Sequence, residues 1–157
     1  MAIDIFLKIL EIKGDSVDAR HKDEIEVLSW SWGMSQTGTA LATGQAGGKV
    51  AFSDINLMHQ FDKASPNLMT FCATGKHIKE ATLTIRKAGE NPVEYLIIKM
   101  SDVLVTSVQV SGSDEVPTES FSLQFAKVDL EYKPQNPDGS LDVGLHFKYD
   151  LKASKVA

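Results

Sequence analysis

One cysteine stands in the whole chain, Cys72, so no internal disulfide can staple the fold. None is required, because a chain of 157 residues buries roughly 70% of the surface its unfolded form exposes. Cys72 sits among apolar neighbours in a helix-like stretch, which suits a buried thiol better than a reactive one. A lysine or arginine run is also missing: 16 basic and 21 acidic side chains are interleaved along the chain, for a net charge of −5. Nucleic acid and anionic membrane surfaces are therefore not expected partners. No apolar run approaches the ~18 residues of a membrane helix. The opening Met1-Ala2-Ile3-Asp4-Ile5-Phe6-Leu7-Lys8 meets charges too early for the apolar core of a signal peptide. The chain is expected to fold in the cytoplasm and, if exported, to leave without a cleaved signal. No repeat or linker divides it, so residues 1–157 are expected to form one domain.

What is present is a period of two. Ile3, Ile5 and Leu7 alternate with Asp4, Phe6 and Lys8 in a first strand. In a second, over residues 24–36, Ile25 and Val27 hold the odd positions while Leu28, Trp30, Trp32 and Met34 hold the even ones. Alternation changes face only through an extra residue or a bend, which predicts an irregularity at Val27–Leu28. The even face, with both tryptophans, is expected to be buried, leaving Ser29, Ser31 and Gly33 toward solvent. Residues 37–48 carry four glycines and no charge and read as a long mobile loop. A third strand runs from Lys49 to about His59, with a phase change after Phe52.

The one helix signal is Ser65-Pro66-Asn67-Leu68, a capping hydroxyl before a proline at the first helical position, with Gly75 as the stop. Ala81–Lys87, Val93–Met100, Val103–Val110 and a strand through Phe121, Leu123 and Phe125 follow. A second phase slip, to Val128, Leu130 and Tyr132, predicts a bulge at Ala126–Lys127. Leu145, Phe147, Tyr149 and Leu151 make a last strand with one apolar face. Short strands at this spacing indicate a mainly β, antiparallel barrel or sandwich with one helix.

Chemical motifs fail on inspection. Gly47-Gly48-Lys49 lacks the Gly at position 43 and the Ser or Thr at position 50 that a phosphate-binding loop needs, and a strand follows instead of a helix. Gly33 to Gly38 misses the nucleophile elbow by one residue. His21, His59, His77 and His146 are scattered singly, without metal-ligand spacing, and read as solvated surface histidines. The alternating Glu24/Glu26 and Asp129/Glu131 read as outward polar faces. No catalytic residue, metal ligand or cofactor is nominated. Abundant strand edges point toward self-assembly.

Five ordered blocks carry a family resemblance: Met1–Ile9 with Ile12–Ser16, Glu26–Gln36 (Glu-Val-Leu-Ser-Trp-Ser-Trp-Gly-Met-Ser-Gln), Phe61–Met69, Ala81–Gly89 and Val93–Ile98. Together they resemble the haemolysin-coregulated protein, or Hcp, family of the type VI secretion system, from residue 1 to about Pro134. The resemblance implies an antiparallel two-sheet β-barrel with one short flanking helix, assembled head to tail into hexameric rings. Stacked rings would form a secreted inner tube, driven by a contractile sheath behind a spike protein, and would carry or chaperone small effectors in the lumen. It places Ser29, Ser31 and Gly33 on the lumen. Thr39, Ala40, Leu41, Ala42 and Thr43 are expected in the loop that orders where ring stacks on ring. A phage-type tail-tube protein and a β-barrel hydrolase with an unseen triad remain as alternatives.

Overall fold

The computed structural model describes residues 2–38, 49–89, 92–113 and 115–157. Eleven strands and one helix follow in order: β1 Ile3–Ile9, β2 Ile25–Glu26, β3 Ser29–Ser31, β4 Met34–Gln36, β5 Val50–Phe52, β6 Ile55–Gln60, α1 Ser65–Thr74, β7 Ile78–Lys87, β8 Val93–Ser111, β9 Thr118–Tyr132, β10 Leu145–Asp150 and β11 Lys155–Val156. Every pairing is antiparallel. The main sheet runs β11-β10-β9-β8-β7-β1-β2, and β6 joins β9 while carrying β3 on its other side. The strand β9 is long enough to serve two neighbours, β6 along residues 118–123 and β10 along residues 127–132.

The two ends of this arrangement meet in the segment 25–31. Val27 N–H donates to the Ile5 carbonyl at 2.9 Å, and Leu28 N–H donates to the Met58 carbonyl at 2.7 Å. The chain thus passes from β1 to β6 between adjacent residues, where the alternation slips in phase. The mainly β, antiparallel architecture with one short helix is as expected, although among the described residues no unbroken ladder closes the sheet into a barrel.

The enclosed face holds Leu7, Ile25, Ile55, Leu57, Leu83, Ile98, Phe121 and Leu123, each 2% exposed or less. Leu68 and Phe71 bring α1 against this core. Ser65 is not the helix cap. It lies inside the first turn, fully buried, with Ala64 at the cap, and its Oγ accepts the Asp62 N–H at 3.1 Å while Asp62 Oδ1 accepts the Ala64 N–H. Gly75 ends the helix in the left-handed region at φ 66°, as expected. Cys72 is half-buried against the core.

The stretches Val93–Met100 and Val103–Val110 are one strand of 19 residues, β8, instead of two. Its register against β9 shifts between Val105 and Ser107, so the bulge falls at Thr106 and not in β9. At Ala126 the register holds, and the phase slip has another cause: Asp102, opposite, takes φ 52°, and both strands bend together.

Candidate binding face on the sheet

Register fixes which side chains stand together on a sheet, because directly paired residues share a face. Ser29 pairs with Met58 and Ser31 with Asn56. Across β6, Asn56, Met58 and Gln60 pair with Ser122, Ser120 and Thr118. Across β9 these pair in turn with Ser107, Gln109 and Ser111 of β8. Over these paired positions the outward face of β3-β6-β9-β8 is therefore built from hydroxyls, amides and a single apolar side chain, Met58, with no ionisable group. In a chain with 24% charged residues this is a distinct surface. Most of it is exposed, Met58 being 39% accessible, while Thr118 is half-buried and Ser122 buried.

The inward face of the same strands anchors it to the core. Leu57 and Phe121 pair across the ladder in the core, with Trp30 beside them. The hydroxyls are also tied to one another. Ser122 Oγ lies 2.6 Å from both Thr106 Oγ1 and Ser107 Oγ, and Thr106 Oγ1 donates to Asp54 Oδ2 at 2.7 Å at the margin of the face. Gly33 follows β3 outside the ladder. Its N–H donates to Ser53 Oγ at 2.9 Å, and the space where a Cβ would stand is open.

The structure thus brings Ser29 and Ser31 together on an exposed face and places Gly33 beside it. The opposite face of the second strand departs from expectation. Trp30 and Trp32 are only half-buried, and Leu28 and Met34 are 56% and 47% exposed. The break after Val27 is the reason: β3 and β4 are three residues each, too short to hold one apolar row against one core. Trp32 instead joins an aromatic group with Phe52, Phe125, Phe147 and Tyr149 at centroid distances of 4.9–6.4 Å. Thr39, Ala40, Leu41, Ala42 and Thr43 lie outside the described residues.

The histidines require a further correction. His21 and His59 are buried, not solvated. His21 stacks on Phe6 at 4.4 Å, its Nδ1 reaching Glu24 at 2.9 Å and its Nε2 reaching Glu94 at 2.7 Å. Glu24 is buried with it, and burial holds its carboxyl above the usual carboxylate range despite the bond to His21. Arg86, bonded to Asp4 and Asp18, also lies over the Phe6 ring, 4.8 Å from its centroid. Arg86 holds the Asp18 carboxyl down to about 2. His59 Nε2 meets the fully buried Glu119 at 2.6 Å. His146 bridges Asp129 and Glu131. Each partner set spans separate strands or loops, so only the i, i+3 pairs His21/Glu24 and His59/Asp62 left any trace in the sequence. No group of three or more His, Cys, Asp or Glu arranged to hold a metal ion occurs among the described residues, and no helix there is long and apolar enough to cross a membrane.

Comparison with known proteins places the whole chain among relatives. The family model described as "Type VI secretion system effector, Hcp" matches residues 6–132. Protein hcp1 of Pseudomonas aeruginosa is 51% identical over 148 residues, covering 92% of this chain and 91% of that protein. The crystal structure of Hcp1 from Salmonella typhimurium superposes with a TM-score of 0.83 at 43% identity, covering all of both chains. A further solved type six secretion system protein gives a TM-score of 0.91 at 26% identity, over 99% of this chain and all of that one.

Proposed function

The chain belongs to the Hcp family of type VI secretion proteins, and from that membership we propose that it works as a hexameric ring subunit of the inner tube. The family is one of structural, secreted tube proteins and not of enzymes. On this reading residues 1–157 act as a single tube domain. The protein folds in the cytoplasm, assembles head to tail, stacks into tubes, and leaves without a cleaved signal. Its partners are further copies of itself, the contractile sheath, the spike protein and small effectors held in the lumen.

The observation that carries the lumen assignment is the exposed, uncharged face bearing Ser29 and Ser31. Small hydroxyls at Ser29 and Ser31 and the open space at Gly33 obstruct little and offer hydrogen bonds that adapt to different cargoes, as an effector-binding lumen requires. Native mass spectrometry tests the assembly: a species of six chains is expected, and monomer alone at micromolar concentration would refute the ring. Ser31→Gln tests the lumen. Rings should form as before, while retention of a co-expressed effector of the same system falls because the longer side chain fills the contact surface.

A further inference from the structure

The outward face of β3-β6-β9-β8 sets limits on what it can hold. Three inter-strand steps make it about 14 Å wide, and the rise from Asn56 to Gln60 makes it about 14 Å tall. One chain therefore offers on the order of 200 Å² of flat sheet. A stable protein–protein interface takes about 800 Å² from each partner, so roughly four such faces must act together. The face has no charge to steer or select a charged partner, and its one apolar projection is Met58, flanked by Ser29, Ser120, Asn56 and Gln60.

We infer that cargo is held by several neighbouring copies of this whole four-strand face at once, centred on Met58, and that the occupant is a folded effector presenting an uncharged surface with an apolar side chain over Met58. The inference rests on the ring and lumen reading above and extends the contact surface from β3 to β6, β9 and β8. Small hydroxyls and amides match neutral polar groups on the cargo, whereas a carboxylate brought into the contact would be desolvated without a partner. Binding of this kind is insensitive to ionic strength, because there is no ion pair to screen.

The probe is a tagged small effector of the same secretion system, co-expressed with the full chain and measured by co-purification with rings verified by native mass. Met58→Glu and, separately, Gln109→Glu should leave rings of wild-type mass and lower effector retention more than about tenfold. Two exposed positions on different strands keep the test usable if one variant folds poorly. Wild-type retention should change less than about twofold between about 50 and 500 mM salt. In rings assembled from wild-type and Gln109→Glu chains in varied ratio, retention should fall more steeply than the wild-type fraction, since several adjacent faces are needed. Full retention by both glutamate variants overturns the inference, as does a linear fall in mixed rings or loss of wild-type cargo in salt. In those cases a loss with Ser31→Gln alone leaves the lumen reading standing. Wild-type rings that hold no effector, or wild-type chains that form no rings, overturn both.

Discussion

His59 has no solvent exposure, yet it faces two carboxylates. Its Nε2 is 2.6 Å from Glu119, also fully buried, and its Nδ1 is 3.7 Å from Asp62, too far for a hydrogen bond. Burial works against a charged imidazole, but the two carboxylates outweigh it and hold the His59 pKa above its ordinary 6.5. Burial likewise opposes charge on Asp62, and His59 with the Ala64 amide overcomes it, so Asp62 lies below its ordinary range. The signs follow from linkage. The His59 contribution is complete below its unfolded value and is lost as pH rises through the raised folded value. The Asp62 contribution is present above its unfolded value and is lost as pH falls through the lowered one. Stability measured by urea denaturation should therefore decline as pH rises above about 6.5, and the double variant His59→Leu/Glu119→Leu should remove most of that decline. An unchanged slope in the double variant would refute this role. Glu119→Leu alone strands a charge in the core and should cost about 3 kcal/mol or more. A similar loss, about 3 kcal/mol, is expected for Trp30→Ala, at the lower end for large aromatic deletions because Trp30 is half-buried. If Ser31→Gln destabilised the fold more than Trp30→Ala, the two faces of β3 would be reversed.

Asp102 bends two strands at once. Met100 and Val128 are paired and buried, as are Val103 and Phe125, although each strand changes parity between the pairs. The left-handed φ of 52° at Asp102 makes this possible without a register shift. A side chain in that region is disfavoured by about 1 kcal/mol, and a β-branched one by more. Asp102→Gly should therefore hold or raise stability, its loss of the exposed Lys152 contact mattering little, while Asp102→Val should lower it by about 1–3 kcal/mol in chemical denaturation. Equal stability of the two variants would mean the bend is set elsewhere. This element also shows what the sequence could convey. A phase slip was legible at both Val27–Leu28 and Ala126, since alternation records which face is inward. Its mechanism was not: one slip is a change of partner strand, the other a paired bend, and both depend on the neighbouring strand. The bulge at Thr106 left no mark because residues around it are small and polar on the outer side. The buried histidines were hidden for a related reason, Glu119 and Glu94 being 60 and 73 residues from the rings they bind. The outer face fared better. Ser29 and Ser31 were readable from one strand, but its full extent needed the registers of four.

At the scale of the molecule, the strand order ends at β11, which pairs on one side only among the described residues. Val156 on it is 71% exposed, and at the far end of β10 Leu145 and the preceding Val143 are 64% and 82% exposed. Apolar edges of this kind are a liability in a free monomer and are relieved when copies cover one another. On the proposed tube reading, stacking of one ring on the next is a separate contact, and the hairpin of β4 and β5 lets the two be tested apart. Its strands are tied at the base by Thr37 and Lys49: Thr37 N–H donates to the Lys49 carbonyl at 3.4 Å, and Lys49 N–H to Thr37 Oγ1 at 2.9 Å. Deleting Thr39–Ala46 would leave Gly38, Gly47 and Gly48 between those two residues, a three-residue connection that glycine closes readily. The hairpin, and the Trp32–Phe52 contact beneath it at 6.0 Å, should then persist. Removing Thr39, Ala40, Leu41, Ala42 and Thr43 takes away the residues proposed to meet the next ring while sparing the side-to-side contacts. The deletion variant is thus expected to give rings of wild-type mass and stability that no longer form tubes in electron micrographs and are not secreted. Secretion at the wild-type level would show that stacking does not depend on this loop, and loss of the rings themselves would place it in the contact within a ring instead.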